Sequence, residues 1–244
     1  MCNGCKKGIK DYTEFKTLKD YKTLLILPID KGKNLYIIVA KGDIMKKLLV
    51  LVPVVLFLVG CGGGEKDYFP ITVGSVWNYQ STSTVTAPDT TITIVDTTKV
   101  EVLGETTLNN GTKVFEVVAG GGQYADTSYY EKTDDYIFVY EDKASTTPDT
   151  ALALPLEEGK SWNVHKDTSY TETMQIIKKE SVTVPAGTYD DCWKAMAIYT
   201  DGTFSDTAYV WLAPEVGQVK MTYTEQDTNF SVDVKIELLN ATIK

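Results

Sequence analysis

Histidine, cysteine and arginine are scarce in this 244-residue chain. There is one histidine, His165. Zinc sites and nucleophilic triads lean on histidine, so its scarcity weighs against metal and nucleophile chemistry, and no cofactor is expected. Of the four cysteines, Cys2 and Cys5 form a single Cys-x-x-Cys pair. One such pair is a weak signal for a redox or half-zinc site. Arginine is missing altogether, as suits an AT-rich genome. No stretch carries a convincing amphipathic helical stripe. The acidic pairs Asp134-Asp135, Glu141-Asp142, Glu157-Glu158 and Asp190-Asp191 lack the D-x-D-x-D-G spacing of a calcium loop. They read as solvated turn charge.

One long apolar run is present. Met45-Lys46-Lys47 is followed by 13 residues, Leu48 to Gly60, with two lysines in front and Cys61 behind. A helix needs about 20 residues to span a bilayer, so length and flanks both indicate a signal peptide over 45–60. Leu58-Val59-Gly60-Cys61 resembles the lipobox of bacterial lipoproteins. That resemblance implies diacylglycerol on the Cys61 sulfur, cleavage between Gly60 and Cys61, and a membrane anchor of more than one acyl chain, palmitate among them. Gly62-Gly63-Gly64 then reads as a flexible tether within 61–67. Gly62, in place of an aspartate after the lipidated cysteine, permits outer-membrane sorting in a two-membrane host, by resemblance to the same class. The expected location is the bacterial cell envelope, facing periplasm or exterior.

Nothing should precede the charged start of a signal peptide, yet residues 1–44 do. They are expected to be an upstream extension outside the true reading frame start, with translation beginning at Met45. Lys41-Gly42-Asp43-Ile44 can be encoded AAA-GGA-GAT-ATT, a purine-rich ribosome-binding sequence just ahead of the Met45 codon.

From Cys61 onward 184 residues remain, enough for one domain with its own core. They hold 13 lysines against 28 acidic residues, a net charge of −15 that the whole-chain −9 hides. Such acidity argues against nucleic acid as a partner and against adsorption on anionic lipid. It suits a soluble exported domain. With Cys61 lipidated, Cys192 has no partner for a disulfide; beside Asp190-Asp191 it reads as a small buried residue rather than a reactive thiol.

Strand patterns fill 68–244. Phe230, Val232, Val234, Ile236 and Leu238 alternate with Ser231, Asp233, Lys235 and Glu237, a period of two with one face buried. Ile92 and Ile94, and Val100 and Val102, alternate likewise. Asn109-Asn110-Gly111 and Asp201-Gly202 are hairpin signals. Pro70-x3-Gly74-x2-Trp77-Asn78 recurs 85 residues later as Pro155-x3-Gly159-x2-Trp162-Asn163. Gly111-Thr112 is echoed by Gly187-Thr188, and Tyr129-Tyr130 by Tyr209-Val210-Trp211. The expected fold is all-β: a single antiparallel sandwich, barrel or half-barrel built from two related meander halves, about 68–143 and 152–244, with Ala144–Asp149 as connector.

Val184-Pro185-Ala186-Gly187-Thr188-Tyr189-x2-Cys192, Pro214-Glu215-Val216-Gly217-Gln218-Val219-Lys220 and the Pro–Gly–Trp opener together resemble a group of exported β-rich bacterial lipoproteins over nearly all of 68–223. The group's usual Pro-Gly-Val-Gly has Glu215 in place of its first glycine here. The resemblance implies a β-rich exported domain and no particular activity. Val184-Pro185-Ala186-Gly187 itself reads as a strand end and turn. Trp77, Trp162, Trp193 and Trp211 are expected in the core, with a sugar or lipid groove as the alternative. Three functions follow: a non-catalytic, membrane-anchored binding or structural domain; a LolA-like carrier of lipid or another apolar ligand; and a carboxylate-dependent hydrolase, whose paired acids would come from distant strands. The partners consistent with this are the membrane through the lipid, and an envelope protein, glycan or apolar ligand.

Overall fold

Alternation of β-branched and aromatic residues with polar ones runs through the chain, and a computed structural model turns it into strands throughout. The structure describes residues 66–120, 125–167, 169–201, 205–226 and 230–244. The signal peptide 45–60, Gly60, Cys61, the glycine tether, residues 1–44 and Gly202 lie outside the described residues. Twelve strands and no helix occur among them: β1 Val76–Ala87, β2 Thr90–Thr107, β3 Lys113–Ala119, β4 Asp126–Lys132, β5 Tyr136–Tyr140, β6 Asp149–Ala153, β7 Ser161–Lys166, β8 Thr171–Val184, β9 Gly187–Thr200, β10 Ser205–Ala213, β11 Gly217–Gln226 and β12 Ser231–Thr242.

All twelve form one antiparallel sheet, in the order β6-β5-β4-β3-β2-β1-β12-β11-β10-β9-β8-β7. The chain is therefore two six-stranded meanders, joined where β1 pairs with β12. The sheet curls until its two end strands, β6 and β7, lie side by side, a nearly closed barrel. The expected connector Ala144–Asp149 sits elsewhere: residues 141–148 link β5 to β6, and the meanders are joined by 154–160 between β6 and β7. Pro148 and its polar neighbours mark a loop, and a loop inside a meander has the same local composition as one between meanders.

The sequence echo is a structural repeat. Trp77 is the second residue of β1 and Trp162 the second of β7. The Gly-Thr pairs close the equivalent β2–β3 and β8–β9 turns, and the Tyr-rich segments are β4 and β10. Gly111 and Gly187 have φ of +92° and +142°, backbone that side chains rarely adopt. Beyond β8 the Pro185-Ala186 turn docks onto the second half of β12, Ala186 N donating to the Leu238 carbonyl at 2.9 Å.

One register sorts the faces. Ile176, Ala195, Val210 and Met221 are paired in a row across β8 to β11 and are all buried. On the opposite face Lys178, Lys194, Trp211, Lys220 and Glu237 form the matching row. Lys194 and Lys220 lie over the Trp211 ring, which explains why that indole is buried on the outside of the sheet. The inner core is filled by Trp77, Tyr79, Ile137, Leu152, Ile176, Leu212, Met221 and Leu238, each contributing about 1.5–3 kcal/mol or more on burial.

The chain enters at one end of the barrel, here the near end, shared by the β8–β9 and β10–β11 turns. Phe69 and Ile71 plug it. Asp67 N donates to Glu215 Oε1 at 3.0 Å, Glu215 N donates to the Asp67 carbonyl, and Lys132 Nζ reaches Asp67 Oδ2 and the Phe69 carbonyl, both at 2.9 Å. Glu215 has φ +61°, a conformation that favours glycine. Its carboxylate takes an entry-segment amide that a glycine could not. The β1–β2, β7–β8, β9–β10 and β11–β12 connections form the far end.

Candidate functional site

Toward the far end the inner face changes character. His165 of β7 pairs with Glu172 of β8, Glu172 with Tyr199 of β9, and Tyr199 with Asp206 of β10. Glu225 of β11 then pairs with Val232 of β12, Val232 with Val85 of β1, and Val85 with Ile92 of β2. These residues share the face of the buried Met174, Ala197 and Ala208 one rung deeper. One rim row thus divides into an ionisable arc on β7–β11 and an apolar arc on β12, β1 and β2.

On β12 and β2 the apolar arc is only half-buried, while Val85 of β1 between them is buried. Val232, Val234 and Ile236 are intermediate in exposure, as are Ile92 and Ile94, whereas Leu238 is buried. The period-two pattern is therefore that of a strand whose inward face is covered only at its near end. The reason is geometric: β3 pairs with β2 only from Val100 onward, so β2 from Thr90 to Lys99 has β1 on one side and no ladder on the other among the described residues.

The ionisable arc is knitted by tyrosines. Tyr223 donates its hydroxyl to Asp206 Oδ2 at 2.7 Å and lies 3.4 Å from Glu225 Oε2. Burial raises its pKa well above the ordinary phenol, and the two carboxylates raise it further. Burial likewise raises the Asp206 carboxyl, against the lowering effect of the Tyr223 hydrogen bond. Asp206 and Glu225 sit side by side on neighbouring strands and share one hydroxyl. Glycoside hydrolysis instead needs two carboxylates facing each other across the scissile bond. Tyr170 is raised by burial and then by Asp149, Glu172, Asp167 and Glu141.

His165 ends this arc at the barrel's seam. Its Nδ1 lies 2.6 Å from Asp149 Oδ1 of β6, its Nε2 3.3 Å from Asp167 Oδ2, and its ring stacks on Tyr170 at 4.2 Å and 8°. Tyr170 leans in turn on Tyr199 at 5.1 Å. Burial pulls the imidazole pKa down, and the hydrogen bonds and charges of Asp149 and Asp167 outweigh it, so the net shift is upward. The Ser169 hydroxyl, then the Tyr170 and Ser169 amides, hold the Asp167 carboxyl well below the usual range.

Trp77 is buried in the near-end core with its Nε1 donating to the Val216 carbonyl at 3.0 Å. Trp162 is half-buried at the seam, donating to the Thr150 carbonyl at 3.0 Å. Trp193 is half-buried beneath Lys179 and beside Tyr68. Cys192 is a free, fully buried thiol. Burial, then Asp190, Asp191 and Glu180, push it up to about 11. The acidic pairs remain apart, with Asp134-Asp135, Glu157-Glu158 and Asp190-Asp191 on exposed turns or strand surface. Among the described residues no three His, Cys, Asp or Glu side chains are placed to share a metal ion.

No family model matches the chain, and no curated protein matches it by sequence. Solved structures with a similar arrangement include a protein assigned as a lipoprotein from Parabacteroides distasonis, with 18% identity and a TM-score of 0.42, covering 74% of this chain and 100% of that one. Another, assigned as an exported protein with a YmcC-like fold from Bacteroides fragilis, has 10% identity and a TM-score of 0.41, covering 70% and 96%. A DUF1329 family protein from Desulfovibrio piger has 10% identity and a TM-score of 0.21, covering 71% and 87%.

The rim row left a trace in sequence. Glu172, Asp206 and Glu225 each continue an apolar alternation: Glu172-x-Met174-x-Ile176, Asp206-x-Ala208-x-Val210 and Glu225-x-Tyr223-x-Met221. An acid in step with a buried face is the signal that sequence reading passed over.

Proposed function

We propose that this is a lipid-anchored envelope protein whose barrel is a non-catalytic binding domain, with the far mouth as its binding end. The observation that carries the reading is the divided rim: an apolar arc from β12, β1 and β2, half-exposed on β12 and β2, facing the same interior as tyrosines and carboxylates from β7 to β11. An apolar wall with a few convergent polar groups is the usual make-up of a small-molecule site. The anchor supports an orientation. Lys66 lies at the near end, five residues after Cys61, and five residues reach at most about 18 Å. A lipid on Cys61 therefore holds the near end toward the membrane and turns the mouth away from it.

A carrier of lipid or another apolar ligand is the second reading, favoured by the half-buried Val232, Val234, Ile236, Ile92 and Ile94. Two experiments test the proposal. Cys61→Ser should move the protein from the membrane fraction to the soluble one or leave it unprocessed; unchanged fractionation and mass would overturn the anchor. Native mass spectrometry of the protein extracted from its own membranes should show a bound small molecule that Val234→Asp removes. A chain of bare mass in both would overturn the binding reading.

A further inference from the structure

We propose that the β6–β7 seam is a lateral gate in the barrel wall, hinged at the near end and latched at the far end by the His165 imidazolium on Asp149.

The seam differs from every other neighbouring pair. Each adjacent pair in the sheet from β6 round to β7 is joined by a backbone ladder, whereas β6 and β7 share none among the described residues. Side chains close them. At the near end the 154–160 connection holds the strands covalently, and Lys160 Nζ donates to the Leu154 and Pro155 carbonyls at 2.7 and 3.0 Å. Midway, Trp162 Nε1 donates to the Thr150 carbonyl. At the far end the closure is His165 Nδ1 on Asp149 Oδ1 at 2.6 Å. A seam tied covalently at one end and by one ion pair at the other opens from the latter, which is the end where the divided rim lies.

The latch depends on charge state. Only the imidazolium has two N–H donors, and here Nδ1 is hydrogen-bonded to Asp149 across the seam while Nε2 lies 3.3 Å from the Asp167 carboxylate in the β7–β8 turn. A neutral ring would turn one lone pair toward a carboxylate. The other groups around it are Tyr170 stacked on the ring, Glu172 paired with it on β8, Tyr199 beyond Tyr170 on β9, and Glu141 ahead of β6, whose charge acts on Tyr170. Lys166, next in the chain, is exposed on the opposite face. Asp149 and Asp167 favour the cation, against burial, which opposes it. Because the folded-state pKa is raised, the latch is complete below the ordinary histidine value near 6.5 and is lost as pH rises through the folded value. The gate is closed below the ordinary histidine value and loosens as pH rises through the raised folded-state value.

His165 is the only histidine, so its ring resonances in the full-length protein report the titration without assignment. Amide hydrogen exchange, corrected for intrinsic rates, reports the seam. Protection in 149–153 and 161–166 should fall about tenfold or more through the His165 titration while β1 and β12 hold theirs. His165→Gln should show the low seam protection at both ends of the pH range. Asp149→Asn, which keeps shape and removes the partner charge, should move the His165 midpoint to lower pH and the loss of protection with it. Seam protection that ignores the His165 titration, or a midpoint unmoved in Asp149→Asn, overturns the gate. Neither readout involves a ligand, so the binding proposal fails or survives separately.

Discussion

Gly74 and Gly159 occupy the same place in the two meanders. Their φ angles are +86° and +83°, and each N–H donates at 2.9 Å to the strand that will flank the following tryptophan strand, Gly74 to Val102 and Gly159 to Ile176. The residues after them match as well: Ser75 N bonds the Thr72 carbonyl as Lys160 N bonds that of Glu157, and the Ser75 and Lys160 carbonyls accept from Val102 and Ile176. The Pro-x3-Gly-x2-Trp motif is thus a turn that aims a tryptophan inward, used twice.

A Cβ at Gly159 would meet nothing within 4 Å, and one at Gly74 would meet only the Lys244 side chain at 3.7 Å. The cost of alanine there is therefore conformational, about 1–2 kcal/mol at either site. Gly74→Ala and Gly159→Ala should destabilise similarly in urea unfolding, and the asparagine variants less. A loss well above this at one site alone would mean that the turns are not equivalent.

The two tryptophans have diverged in burial, which sets different costs. Trp77→Ala should lose about 3–5 kcal/mol, as expected of a large fully buried ring. Trp162→Ala, at the half-exposed seam, should lose clearly less and should affect β6 and β7 before the rest. Equal losses in thermal unfolding would contradict this.

Cys192 lies in the core with its Sγ 3.3 Å from the Tyr189 carbonyl and its thiol pushed up to about 11. At pH 8 a thiol reagent should leave it unmodified in the folded protein and label it fully in urea. Rapid labelling of the native protein would place it outside the core.

Asp206 has a raised carboxyl pKa because it is buried. A raised acid makes folding less favourable as pH climbs from the unfolded value through the folded one. Asp206→Asn keeps an acceptor for Tyr223 while removing the charge. The variant should be at least as stable as the wild type at pH 7 and should lose that part of the mildly acidic pH dependence. A large loss at pH 7 would show that the charged hydrogen bond outweighs the burial.

Legibility followed range. The Val100–Val102 alternation, the Asn109-Asn110-Gly111 turn and the Gly187 turn need only neighbouring residues, and they are where the pattern puts them. The 85-residue echo was readable because each copy is a local turn with its own φ demand. The 144–149 connector was not, since composition marks a loop without saying what it joins. His165 and Asp149 looked unrelated in sequence. They meet because β6 and β7, successive in the chain, are driven to opposite ends of the sheet order and then brought back together by its curl.

The sequence by itself determined the strands, the two tight-turn families, the repeat and the lipobox-like segment, because each rests on a period or spacing within a few residues. Only the tertiary structure decided which acids share the rim and which strands are left as edges. It also decided how deeply the alternating apolar faces are buried. Those depend on registers accumulated across many hairpins, and a shift of one residue in any of them would turn Glu172, Asp206 or Glu225 to the other side of the sheet.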